Sequence, residues 1–187
     1  MNKRYDIEVI RHSLAHIMAA AVKSIYPAAK FGMGPAIENG FYYDFDLGGQ
    51  TLAPDNLKEI EIKMKKIIGG GVTFERKEIG VDEAKKIFAD QPYKLEIISD
   101  LENKGEQKVS VYQSGDFYDL CRGLHVESAK DLPIDGFKLT KIAGAYWKGG
   151  EKNKMLTRVY GAAFASKKEL DDYLINLEEA EKRDHRK

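Results

Sequence analysis

The chain has 187 residues, 43% hydrophobic and 32% charged, enough for one medium domain with a buried core, or one domain with an appendage. Thirty basic residues balance thirty acidic ones, so any affinity for nucleic acid must come from a local patch rather than from net charge. A single cysteine excludes an intrachain disulfide framework. Nothing at the N-terminus resembles a signal peptide, and no apolar run of ~20 residues offers a membrane span, so a reducing, cytoplasmic setting without a membrane partner is expected.

Ile7, Ile10, Leu14, Ile17, Met18, Ala21 and Ile25 recur at helical spacing until Pro27, which predicts an amphipathic helix. At about 100° per residue, His12 and His16 share the face opposite this stripe, one turn apart. They are therefore expected to face solvent, a cleft or another element, not the core of this helix. Asn39-Gly40 separates residues 33–37 from the aromatic run 41–45, the signature of a hairpin with a two-residue turn, and one of Tyr42 and Tyr43 should face its covered side. Residues 54–68 read as a helix ended by Gly69-Gly70-Gly71, 72–77 as a strand and 81–89 as a short helix, while 94–101 fits either type. Strands are predicted at 109–112, 137–142 and 155–164. Ser166-Lys167-Lys168-Glu169 is a capping box that opens a last helix with Leu170, Tyr173, Leu174 and Leu177 on one stripe. That helix meets no Gly or Pro stop, so the chain reads as a fragment of a longer protein, or as one whose last helix connects to a partner.

The chemistry-bearing residues are concentrated. His12 and His16, with Cys121 and His125, include the only cysteine and three of the four histidines. A His-x-x-x-His pair on a helix and a Cys-x-x-x-His pair together suit a tetrahedral metal site. The same groups suit metal-free catalysis in which a histidine is the general base. Asp119 could orient a ligand, hold a substrate ammonium or cap a loop. Lys94 is undistinguished by spacing, either tyrosine of the hairpin could be mere packing, and His185 reads as a solvated tail residue. Between Phe137 and Arg158, six basic residues (Lys138, Lys141, Lys148, Lys152, Lys154, Arg158) face one acid, Glu151, with Phe137, Tyr146 and Trp147 interleaved, a pattern that suits phosphate contact with base stacking.

Arg11-His12-Ser13-Leu14-Ala15-His16, Gly34-Pro35 with Asn39-Gly40-Phe41-Tyr42-Tyr43-Asp44, and the run from Gly115 to His125 resemble the editing domain of bacterial-type threonyl-tRNA synthetase. So do Phe137-Lys138-Leu139 through Trp147, Asn153-Lys154-Met155-Leu156 and Glu178 to Lys187. The resemblance implies an α+β fold, a mostly antiparallel sheet with packed helices of the threonyl/alanyl-tRNA synthetase editing-domain type. It implies an editing domain over residues 1–165, and over 166–187 a linker helix toward a catalytic core absent from this chain. The family's small N-terminal ubiquitin-like domain and its synthetic and anticodon-binding domains are also absent, and Leu124 stands where the family has proline.

The activity implied is hydrolysis of serine wrongly attached to threonine tRNA, with that tRNA's 3′ end and the remainder of the synthetase as partners. A methyl difference yields only ~1–3 kcal/mol of discrimination, which is why a second, hydrolytic site is needed. By the same resemblance His12 and Lys94 would activate water or shuttle protons, Asp119 would hold the serine amine, Tyr43 and His16 would shape the pocket, and Cys121 and His125 would contact substrate and the terminal ribose. No cofactor is implied for editing, yet zinc on His12, His16, Cys121 and His125 stays open, because alanyl-type relatives use these positions for it. Two rival readings follow: a non-catalytic, zinc-stapled tRNA-docking module, and an alanyl-type deacylase.

Overall fold

The computed structural model describes residues 4–186. Met1, Asn2, Lys3 and Lys187, which fall in the two expected spans, lie outside the described residues. The first helix, α1 (Ile7–Ile25), follows the predicted stripe. Its other face is covered as well: every residue from Ser13 to Ala19 is buried, and His16 is only 1% exposed. The expectation that neither histidine belongs to the core therefore fails for His16. The reason is tertiary, since the second face of α1 is packed under later parts of the chain.

After α1 come β1 (Lys30–Phe31), β2 (Ala36–Ile37) and β3 (Gly40–Asp46). The hairpin forms one residue earlier than its Asn-Gly signature suggests. Ile37 pairs with Gly40, so the turn residues are Glu38 and Asn39, and Asn39 takes the left-handed conformation at φ 65°. Asparagine tolerates that region, which leaves Gly40 for the strand, where a Cβ would collide with the Gly161 carbonyl across the ladder. Along β3, Phe41, Tyr43 and Phe45 point into the core while Tyr42 lies on the opposite face beneath Arg158, the alternation of a pleated strand.

The second helix, α2 (Pro54–Gly70), starts with a proline in its first turn and stops at Gly71 in the left-handed conformation, φ 67°. It lays Leu57, Ile60, Met64 and Ile68 against the core. The next strand, β4 (Glu75–Gly80), lies three residues beyond the predicted 72–77. Val72, Thr73 and Phe74 instead meet residues 127–129, through Phe74 N–H to the Glu127 carbonyl and Ala129 N–H to the Val72 carbonyl. Two helices follow, α3 (Val81–Ile87) and α4 (Pro92–Asn103), the second settling the ambiguous segment. Then come β5 (Lys108–Ser114), β6 (Phe117–Leu120), β7 (Phe137–Tyr146), β8 (Met155–Ala163) and α5 (Lys167–Asp184). At the start of α5, Ser166 Oγ accepts the Glu169 N–H as the capping signature predicts.

All strand pairs are antiparallel. One sheet runs β1-β3-β8-β7, with β2 also on β3, and the other runs β4-β5-β6. With the five α-helices of the described residues beside these sheets, the fold is α+β, as expected. The main core joins α1 and α2 to Phe41, Tyr43, Phe45, Phe137, Leu139 and Val159 of the first sheet. A smaller core of Val81, Ala84, Phe88, Ile98, Val109 and Val111 lies between the α3–α4 pair and the second sheet. The expected chemistry falls where the two meet. Among the described residues, no helix is long and apolar enough to cross a membrane.

Candidate active site

Four segments far apart in sequence converge at this junction. The helix α1 brings Ser13, His12 and His16, β3 brings Tyr43, α4 brings Lys94, and β6 with the loop after it brings Asp119, Cys121 and His125. A cleft of about 570 Å³ opens above them, lined by His12, Lys94, Asp119 and Cys121 and by Met33-Gly34-Pro35. Tyr43, His16 and His125 are buried behind these lining residues, each 9% exposed or less, with Tyr43 and His16 against Asp119 and His125 against Cys121. Gly34 is obligatory there, because a Cβ would run into the Tyr43 ring. All seven residues anticipated from sequence thus lie together.

Two hydrogen-bonded groups make up the site. In the first, Lys94 Nζ lies 2.8 Å from Asp119 Oδ1 and donates to the Tyr43 hydroxyl at 3.0 Å, while that hydroxyl donates to both Asp119 oxygens at 3.0 and 3.1 Å. The lysine and aspartate side chains are only 4% and 8% exposed. Burying such charges is tolerable only because each meets the other and the tyrosine. Burial, with Asp119 alongside, pushes the Tyr43 phenol well above its ordinary range, so it remains a donor.

In the second group, Cys121 Sγ sits 3.3 Å from His12 Nε2 and 3.4 Å from His125 Nε2, and accepts the Gly123 N–H at 3.2 Å. Burial, reinforced by Asp119, raises the Cys121 thiol to about 12. It is a neutral S–H, not a thiolate nucleophile. Burial also lowers all three histidines, His16 to about 3 and His125 to about 2. The site therefore holds neutral imidazoles beside one charged pair. His16 is the outlier, wedged between Phe74 and Phe117, each 5.0 Å away ring to ring. Among the described residues neither of its ring nitrogens has a hydrogen-bond partner, and its Nδ1 stands 4.0 Å from Asp119.

The ligand atoms of His12, Cys121 and His125 all lie within 4.8 Å of one another. Tetrahedral zinc bonded at ~2.3 Å to sulfur and ~2.0–2.1 Å to nitrogen would hold its ligand atoms roughly 3.5 Å apart, close to the two sulfur–nitrogen separations of 3.3 and 3.4 Å. These three residues fit an ion with one open position. His16 lies outside this group of three.

Of the three aromatics in the basic stretch only Tyr146 is exposed, which corrects the expected stacking surface at its other two positions. Phe137 and Trp147 are buried, and Trp147 packs on Tyr93 at 4.9 Å. Lys148 pairs with Glu96 and Asp100, Lys154 with Asp46 and Arg158 with Asp44. Lys138, Lys141 and Lys152 are exposed, with Lys141 lying over the Tyr160 ring. Besides Lys94, the cations that border the cleft are Arg76, Lys108 and Arg122, with the acids Glu78 and Glu106 beside them. Sequence reasoning passed over these three cations because each is one exposed cation in a charged segment. Ser13 was missed too, as an unremarkable serine between two marked histidines.

Residues 109–160 match the family model described as "Threonyl and Alanyl tRNA synthetase second additional domain". Over 182 residues, 97% of the chain, it is 54% identical to the threonine-tRNA ligase of Dehalococcoides mccartyi, covering 30% of that protein. It is 53% identical to that of Thermotoga petrophila over 96% of the chain, and 52% identical to that of Citrifermentans bemidjiense over 97%. In both cases it covers 28% of the relative. The chain thus spans about 30% of the length of the curated relatives it matches, and its resemblance to the editing domain of threonyl-tRNA synthetase is borne out.

Proposed function

We propose that this chain, which shares more than half its residues with a segment of threonine-tRNA ligases, hydrolyses the ester between serine and the 3′ end of threonine tRNA. The observation that carries the proposal is the single cleft onto which a neutral His12, a protonated Cys121 and the Lys94–Asp119 pair all open. Ester hydrolysis needs a base for water, charge stabilisation at the carbonyl oxygen and a proton for the leaving oxygen.

In this reading His12 accepts a proton from water as the water oxygen attacks the carbonyl carbon. The Lys94 ammonium offsets the charge on the carbonyl oxygen. When the bond to the ribose oxygen breaks, His12 returns the proton to that oxygen, so serine and a free ribose hydroxyl leave. Asp119 receives the serine ammonium, Tyr43 and His16 shape the pocket, and Cys121 and His125 contact substrate and the terminal ribose. Arg76, Lys108 and Arg122 at the rim suit the phosphates next to the 3′ adenosine. Residues 1–165 would form the editing domain, and residues 166–187, which include the largely exposed α5, the linker to the remainder of a cytoplasmic synthetase.

A metal-dependent reading is favoured by one observation, the His12, Cys121, His125 cluster. An ion bound there would supply Lewis-acid activation or staple α1 to the loop. The experiment that tests the proposal is deacylation of seryl- and threonyl-tRNA of threonine identity by the chain, with and without chelator, beside His12→Ala and Lys94→Ala. Loss of serine but not threonine, indifferent to chelator and reduced at least 100-fold in both variants, is expected, a factor in the range of a general base. Intact activity in the variants, or its loss on chelation, would overturn it. Alanine tRNA carrying serine or glycine tests the alanyl-type alternative.

A further inference from the structure

The hydrogen bonds of Ser13 carry a consequence for His125. Ser13 is fully buried, and its hydroxyl oxygen has three neighbours: the Val9 carbonyl at 2.7 Å, the Val126 backbone N–H at 3.0 Å and His125 Nδ1 at 3.2 Å. A hydroxyl has one proton to donate and two lone pairs. The Val9 carbonyl brings no proton, so at 2.7 Å the Ser13 proton must lie between the two oxygens. Both remaining neighbours must then be donors. Val126 N–H is one by nature, and His125 becomes one by carrying its proton on Nδ1.

We infer that Ser13 is a positioning residue that holds His125 as its Nδ1–H tautomer, so that the Nε2 lone pair is presented to Cys121 and the cleft. Packing locks the ring in that attitude: Tyr112 meets it edge-on at 4.4 Å and Phe74 stacks at 5.2 Å. Through Val126 the same oxygen tethers the loop that carries Cys121 and His125 to α1. His125 is accordingly an acceptor at Nε2. It takes the Cys121 S–H, or a ribose hydroxyl in its place, and does not itself deliver a proton to the leaving oxygen. This assignment of the His125 role rests on the hydrolytic reading above, whereas the tautomer does not.

The test is long-range proton–nitrogen NMR of the 15N-histidine-labelled chain at neutral pH, with His125→Gln supplying the resonance assignment. A protonated Nδ1 and a bare Nε2 on His125 are expected. A proton on Nε2 in the wild-type chain would overturn the inference whether or not any variant folds. In Ser13→Ala, Nδ1 loses its acceptor and the population should shift toward the Nε2–H form, while Ser13→Thr, which keeps the hydroxyl, should restore the wild-type pattern. An unchanged tautomer in a folded Ser13→Ala chain would also overturn the role of Ser13. Because the readout is the ring nitrogen, a chain that failed to deacylate any tRNA would refute the hydrolytic proposal and leave this inference to stand or fall separately.

Discussion

The buried histidines make the fold sensitive to mild acid in a way that can be worked out. His16 and His125 are held at about 3 and about 2 by burial, against about 6.5 in an unfolded chain. Below that unfolded value the unfolded state binds protons that the folded state refuses, so stability is fully present above about pH 6.5 and is lost as pH falls toward the folded values. At ~1.36 kcal/mol per pH unit, each histidine removes about 1.9 kcal/mol between pH 7 and pH 5, about 4 kcal/mol for the two. His12, lowered in the same direction, adds to this. A loss of that size is a large share of a typical stability of 5–15 kcal/mol.

His16→Leu isolates one contribution. The His16 ring has no hydrogen-bond partner to lose and sits against Phe74 and Phe117, so an apolar side chain of similar volume should change stability at pH 7 by less than ~1.5 kcal/mol. It should also remove about 1.9 kcal/mol of the acid-induced loss. The assay is urea unfolding followed by circular dichroism at half-unit pH steps from 7 to 5. A wild-type stability flat across that range, or a slope unaltered in His16→Leu, would refute the claim that these rings are buried and neutral.

Lys94→Met should destabilise the fold by about 3–5 kcal/mol, because it leaves the Asp119 charge buried without its cation. The double variant Lys94→Met, Asp119→Leu should cost less than the sum of the two single changes, a coupling that a denaturation double-mutant cycle reads directly. The Cys121 thiol, raised to about 12, should be alkylated by iodoacetamide at pH 8 at least tenfold more slowly than free cysteine, whose thiol titrates near 8.5. A rate equal to that of free cysteine would show that the thiol is neither desolvated nor shielded.

Much of this site is legible in the sequence where the signal is local. The stripe from Ile7 to Ile25 specifies α1, and the i, i+4 spacing alone puts His12 and His16 one turn apart. Proline at the start of α2 and Gly71 at its end mark that helix, and the serine cap opens α5. The family resemblance brings in Tyr43 and Asp119, which lie within its motifs, and Lys94, which lies outside them; spacing cannot distinguish any of the three from packing or solvated residues. Where local signals conflict with pairing, pairing decides. Gly40 is taken from the turn by the close approach of β8, and Val72–Thr73–Phe74 is drawn from β4 to residues 127–129. The four-residue strand β6 is too short to announce itself, yet it carries Asp119.

Contacts between residues far apart in the chain belong to the tertiary structure. Cys121 meets His12 across 109 positions, and Ser13 meets His125 across 112. Nothing in either segment specifies the other, because which faces become neighbours depends on how two sheets and five helices share their cores. The same packing separates His16 from His12, residues that sequence treats as a pair. It leaves His12 at the cleft and drives His16 to 1% exposure, because a helix face is polar or buried only according to what comes to lie against it. Sequence determined which side chains with chemistry this protein owns; burial, which desolvates imidazole, thiol and phenol alike, decided the protonation states in which it can use them.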